Sequence, residues 1–218
     1  MGEFLLVALL FLLVAGLASW TAGGSRKRRR PASPRGPRRR PPVAGPRPPL
    51  TAEESAGQEA RHRAGDVGER RTALLLGELG TEWSVLHDRA LPRGRANIDH
   101  LLITPAAAVI NVDSKMWSAK SGNVHERNGR VFHGVVDRTG SVEAARYESN
   151  QAALALGRPV ATVIAVHRAR ITGGQITLPG VLIVPAHDLV ALVRQIDHAI
   201  GPANPSLARL LPPYPGHP

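Results

Sequence analysis

The sequence predicts a mixed α/β fold, a central sheet flanked by helices, and three observations carry that reading. Apolar, β-branched runs of strand length recur between about residues 82 and 184. Two of them, Ile98–Thr104 and Ala108–Lys115, are separated only by Pro105-Ala106-Ala107, the spacing of a hairpin. Helical patterns stand before, between and after the strands, as covering layers of a sheet do. One N-terminal transmembrane helix is expected to precede this domain.

That helix is Phe4 to Trp20, apolar and free of charge, with Glu3 before it and Arg26-Lys27-Arg28-Arg29-Arg30 after it. Seventeen helical residues rise about 26 Å, close to the thickness of a hydrocarbon core. A cleaved signal peptide carries its basic block before the apolar run, and here it follows. The expected anchor is therefore residues 1–25, single-pass in the cell membrane, with the folded domain in the cytoplasm. A mature chain starting near residue 22 would favour the signal peptide instead.

Residues 26–50 hold ten Arg or Lys, eight Pro and no acid, a composition with nothing to bury. They read as a basic, disordered linker attracted to anionic lipid. The chain has 28 basic and 17 acidic residues. Removing the linker's ten bases and Glu3 leaves 18 against 16, so the folded part carries about +2 of the formal +11. The high charge is thus weak evidence for nucleic-acid binding by the domain. There are no cysteines, which excludes disulfides and thiolate metal sites.

The globular domain is expected over residues 51–201, followed by a loose Pro-rich tail, 202–218. Thr51-Ala52-Glu53-Glu54 suggests a short polar helix, and Asp66 to Leu79 a stronger one stopped by Gly80. Glu82–His87 reads as a strand, followed by a loop with Arg89, Arg93 and Arg95 that reads as solvated or, alternatively, as a phosphate guide. After the hairpin, Gly122–Glu126 and Arg130–His133 are short strands around the turn dipeptide Asn128-Gly129. Ser141–Leu156 is an Ala-rich helix, Val160–His167 and Val181–Val184 are buried strands, and His187–Ile200 is an amphipathic closing helix.

Pairing residue 104 with 108 sets Asp99 opposite Asp113, and alternation puts Lys115 on their face. Opposed carboxylates destabilise a sheet, so something should compensate them, and a divalent cation beside Lys115 would do so.

An acid on one strand and an acid-x-Lys triplet on the next resembles the PD-(D/E)xK nuclease superfamily. The wider pattern resembles its nuclease-related domain (NERD) family over roughly residues 65–190. The matching stretches are Gly68-Glu69, Asn97-Ile98-Asp99-His100, Val112-Asp113-Ser114-Lys115, Gly122 with Val124, and Gln151 on a later helix. The resemblance implies a restriction-endonuclease-like sheet and hydrolysis of nucleic-acid phosphodiesters, with DNA the expected partner. It implies Mg²⁺ or Mn²⁺ on Asp99, Asp113 and the Ser114 backbone carbonyl. Lys115 would orient water or neutralise phosphate charge, and Glu69 would serve as an auxiliary acid. Two departures stand out. Such families often carry Gly before the second strand, where this chain has Ala106-Ala107-Ala108, and Ala takes a positive φ only with strain. A longer or shifted turn would slip the register and separate Asp99 from Asp113. Asp113 also replaces the commoner Glu.

Other readings compete. Asp66 to Glu69 also fits a capping box. Asp113 and Lys115 could be a structural salt bridge. His100 points away from Asp99 and reads as a core histidine. Trp117 and Lys120, in the loop just after the motif, are candidate substrate contacts, Trp117 alternatively a packing lid. Gln151 is a candidate phosphate or base contact, with Tyr147 on the same helix face. Against the nuclease stands a catalytically silent nucleic-acid-binding or membrane-associated interaction module with the same fold.

Overall fold

The computed structural model describes residues 52–92 and 96–198. The expected anchor, linker and tail, with Arg93 and Arg95, lie outside them. Among the described residues no helix is long and apolar enough to cross a membrane.

The first helix, α1 (Ala52–Leu76), is continuous where the sequence suggests two. Asp66 therefore lies inside the helix and caps nothing, which removes the capping-box reading of Glu69. Gly68, Thr72 and Leu76, four residues apart, form its buried stripe. The chain then runs through β1 (Ser84–Ala90), β2 (Asn97–Ile103) and β3 (Val109–Trp117), an antiparallel meander. A small sheet follows: β4 (Val124–Arg127), β5 (Arg130–His133) and β6 (Val136–Asp137). Helix α2 (Thr139–Leu156) leads to β7 (Ala161–Arg168), parallel to β3. Strands β8 (Ile176–Leu178) and β9 (Val181–Pro185) and helix α3 (Leu189–His198) complete the described chain. The main sheet is mixed, in the order β1-β2-β3-β7-β9-β8. Two strands escape the sequence reading, β6 with two residues and β8 with three, both too short for a periodic signal.

Alternation divides the core into two layers. Leu102, Ile110, Val112 and Val163 face α1 and α3, packing with Leu76, Leu189, Val193 and Ile196. Leu101, Ile103 and Val109 face α2 at Ala152 and Leu156. Burying β3 on both faces explains why its first half is uniformly apolar apart from Asn111.

The hairpin keeps the expected register. His100 pairs with Val112, Leu101 with Asn111, Leu102 with Ile110 and Ile103 with Val109. The turn is short, with Thr104 N donating to Ala108 O at 3.0 Å. Its strain is also present, since Ala107 sits at φ 76°. Later elements hold it there. Asp197 of α3 accepts from Ala106 N at 2.7 Å, and Arg158 donates to Ala107 O at 2.8 Å.

Candidate active site

The paired ladder of β2 and β3 ends at His100 and Val112, one step short of the expected Asp99–Asp113 pair, and the charge of Asp113 acts on Asp99 across that gap. Beyond Val112, β3 is paired only with β7. The Ser114 amide, freed from the ladder, donates to Asp99 Oδ2 at 3.0 Å. The N–H and C=O of one strand residue point to the same side, so the Ser114 carbonyl also faces this open edge.

Asp113 is 5% exposed. Its Oδ1 accepts from Lys115 Nζ at 2.6 Å, while its Oδ2 is buried without a partner. The two side chains share one side of β3, the α2 side, with Asn111 and Trp117. Asn111 Nδ2 donates to Ser149 Oγ at 3.0 Å and to Ala145 O at 3.3 Å, and Thr162 Oγ1 donates to Ser149 Oγ at 2.7 Å. This clamp fixes α2 over β3 and carries Glu148 to the acid pair.

Electrostatics show the crowding. Burial, then the charge of Asp113, pushes the Asp99 carboxyl up to about 7, although the Ser114 amide opposes the shift. Burial, then Asp113 and Asp99, pushes Glu148 up to about 8. Asp113 is raised by burial against the pull of Lys115. Glu69 is raised by burial, then by Asp88 and Asp66, with smaller effects of Lys115 and Asp113. Burial disfavours the Lys115 charge, but Asp113 and then Asp99 outweigh it and raise its pKa. Several carboxyls thus share one nearby ammonium.

Glu69 approaches from the opposite side of the sheet. A Cβ on Gly68 would lie 3.5 Å from Met116 Cβ, so helix and strand run close where Glu69 reaches the open edge. Behind the site a chain of polar side chains is hydrogen-bonded, although His100 Nε2 is buried without a partner. Ser114 Oγ donates to Thr72 Oγ1 at 2.8 Å, and Thr72 Oγ1 meets His167 Nε2 at 2.8 Å. His100, 2% exposed, hydrogen-bonds His87 at 2.7 Å, and burial holds its pKa down at about 3.

The remaining candidates are placed as follows. Gln151 is half-buried one turn beyond Glu148, with no side-chain hydrogen bond among the described residues. Lys120 is exposed on a single 3₁₀ turn, Ala119–Ser121. Trp117 is the last residue of β3, not a loop residue, and is 6% exposed. Its ring stacks on His133 at 5.7 Å, with Arg138 over it at 5.8 Å, which is the packing-lid arrangement. Tyr147 is exposed. Sequence reasoning missed Glu148, although it precedes Gln151 by three residues on a predicted helix. The Asn111–Ser149–Thr162 clamp carried no local signal.

The donor set suits a hard divalent cation: two carboxylates, one with an unpartnered buried oxygen, and an adjacent carbonyl. Among the described residues no three His, Cys, Asp or Glu side chains converge on one point. A cation here would complete its shell with water, as Mg²⁺ commonly does.

A mixed sheet flanked by helices, with an acid beside an acid-x-lysine triplet, defines a nuclease-like domain. Residues 64–167 match the nuclease-related domain (NERD) family. Among curated proteins none matches the chain significantly. Nor does any solved structure.

Proposed function

We propose that the chain is a divalent-metal-dependent nuclease with a restriction-endonuclease-like core, held at a membrane by its N-terminal apolar segment. The observation that carries this reading is the buried, unpartnered Oδ2 of Asp113 beside Asp99, with Lys115 the nearby cation. Asp99, Asp113 and the Ser114 carbonyl would hold Mg²⁺ or Mn²⁺. When bound, the metal would polarise a phosphoryl oxygen and acidify a water. Lys115 directs its ammonium to the same edge, where it offsets charge developing on the phosphate. Ser114, tied to Asp99 through its amide and to Thr72 through its hydroxyl, keeps β3 from shifting under this load. Glu69 and Glu148 flank the pair from opposite helices and strengthen its demand for a cation. DNA is the proposed substrate.

The full-length protein and its Asp113→Ala variant are to be incubated with linear, circular and single-stranded DNA and with RNA, each with Mg²⁺, Mn²⁺ or excess chelator. Metal-dependent cleavage lost in the variant is the expected result. A folded wild-type protein that cuts nothing would leave a binding or interaction module. Recovery in the membrane fraction, with an N-terminus before residue 22, tests the anchor.

A further inference from the structure

Next to the site, the β4–β5 hairpin presents two unlike faces. Val124, Val131 and His133 point inward, 0%, 0% and 2% exposed, and fix the hairpin to the core. His125 pairs with Phe132 and Arg127 with Arg130, so alternation places these four side chains together on the outer face. They form one stack. The His125 and Phe132 rings lie 5.7 Å apart at 18°, and the Arg127 and Arg130 guanidiniums sit 5.4 and 5.7 Å from the Phe132 centroid.

Charge is concentrated here although the folded part is nearly neutral. Lys120, Arg168 and Arg170 are exposed around the hairpin, and Arg170 O accepts from Val124 N at the β4 edge. The two local acids are engaged: Glu126 accepts from Gly129 N, and Asp137 pairs with Arg130. Arg127 is exposed and has no ion-pair partner among the described residues. The hairpin is also tied to the site, because Trp117, two residues after Lys115, stacks on His133 of β5.

We infer that the outer face of this hairpin is a binding platform for single-stranded nucleic acid, delivering the strand to the Asp99–Asp113–Lys115 edge. Planar aromatic and guanidinium groups offer stacking surfaces to unpaired bases, and the flanking cations track phosphates. A duplex hides its base faces and cannot use the stack. The proposal rests on the nuclease reading for what the platform serves, but binding is measurable without cleavage.

The test uses the full-length protein in detergent with chelator, and anisotropy of labelled oligothymidylate and oligouridylate and of a blunt DNA duplex. Arg127→Glu and Phe132→Leu are compared with wild type, with Asp113→Ala, and with Arg194→Glu on α3 as a charge control. Each hairpin variant should weaken single-strand binding about tenfold. Arg127→Glu should also make the salt dependence shallower, by about one in log–log slope. Asp113→Ala should bind without cutting. Wild-type-like binding by Arg127→Glu, or no single-strand binding by wild type, overturns the platform. So does equal weakening by Arg127→Glu and Arg194→Glu, which would assign the effect to overall charge. A loss confined to the duplex has the same consequence. If Phe132→Leu unfolds, Arg127→Glu, fully on the surface, still decides. Cleavage by wild type with intact binding in the hairpin variants would sink the platform and keep the nuclease. Hairpin-dependent binding without any cleavage would do the reverse.

Discussion

Strand β3 is two different objects along its length. From Val109 to Val112 it is buried on both faces and paired with β2, and from Ile110 onward it is paired with β7 as well. From Asp113 to Trp117 it keeps β7 but loses β2, and a carboxylate occupies the freed Ser114 amide. The first half is buried throughout. The second half holds acids at close quarters that no core would select for stability. The difference teaches where a sheet can afford chemistry: at the point where one ladder stops and its neighbour continues. The parallel β7 ladder fixes the geometry, and the missing β2 ladder opens it.

Substitutions should separate these halves. The largest effect is expected from Asp113→Asn, which should lower metal-dependent cleavage on the order of 10²–10⁴-fold. Its melting temperature in chelator should equal or exceed that of wild type, because a crowded charge is gone. A large drop in stability with cleavage retained would reverse the assignment of the two halves.

In the paired half, Ile110→Ala should cost about 2–5 kcal/mol in denaturant unfolding, since Ile110 is 0% exposed between β2 and β7. Cleavage per folded molecule should be unchanged. A loss of activity out of proportion to the folded fraction would show that the halves are not independent.

Raised carboxyls give the next effect. The folded pKa of Asp99, about 7, lies above its ordinary 3.8, and that of Glu148, about 8, above 4.5. Their contribution to stability is full below the ordinary values and is lost as pH rises through the folded ones. Depressed histidines such as His100 act below about pH 6.5 and have the opposite sign. The clean window is therefore above that value. Metal-free protein should lose roughly 2–5 °C of melting temperature between about pH 6.5 and 8.5. Mg²⁺ or Mn²⁺ should flatten the fall. A melting temperature that climbs across this window would contradict the crowding of acids at the open edge.

The smallest effect lies at the far end of the hairpin. Ala107→Gly removes the positive-φ strain and should stabilise by about 0.5–1 kcal/mol, with activity unchanged. Thermal melting resolves it. No gain would mean that Asp197 and Arg158 already compensate the turn completely.

Much of the site was legible because its signals are local. Asp99, Asp113 and Lys115 lie on consecutive strands joined by three residues, so a period of two and a short turn suffice to relate them. Alternation likewise turned His100 away into the core. Where the reading failed, the reason is physical. The helix start at Asp66 was inferred from side chains able to cap, but neighbouring turns continued the helix and removed the need. Trp117 was read with the loop that follows it, while the β7 ladder extends β3 to include it. Glu148 lay in a helix whose distance from β3 depends on Asn111, Ser149 and Thr162, residues up to 51 positions apart with no shared pattern.

By itself, the sequence determined the mixed α/β class, the hairpin register and the acid-acid-lysine face, because each follows from spacing between near neighbours. Only the tertiary structure decided that β2 ends its ladder at Val112, that Glu69 and Glu148 flank the pair from opposite helices, and that the β4–β5 face stands open beside them. Those outcomes depend on which distant segments compete for the same backbone edge and the same apolar surface, and that competition is settled only when the whole chain packs.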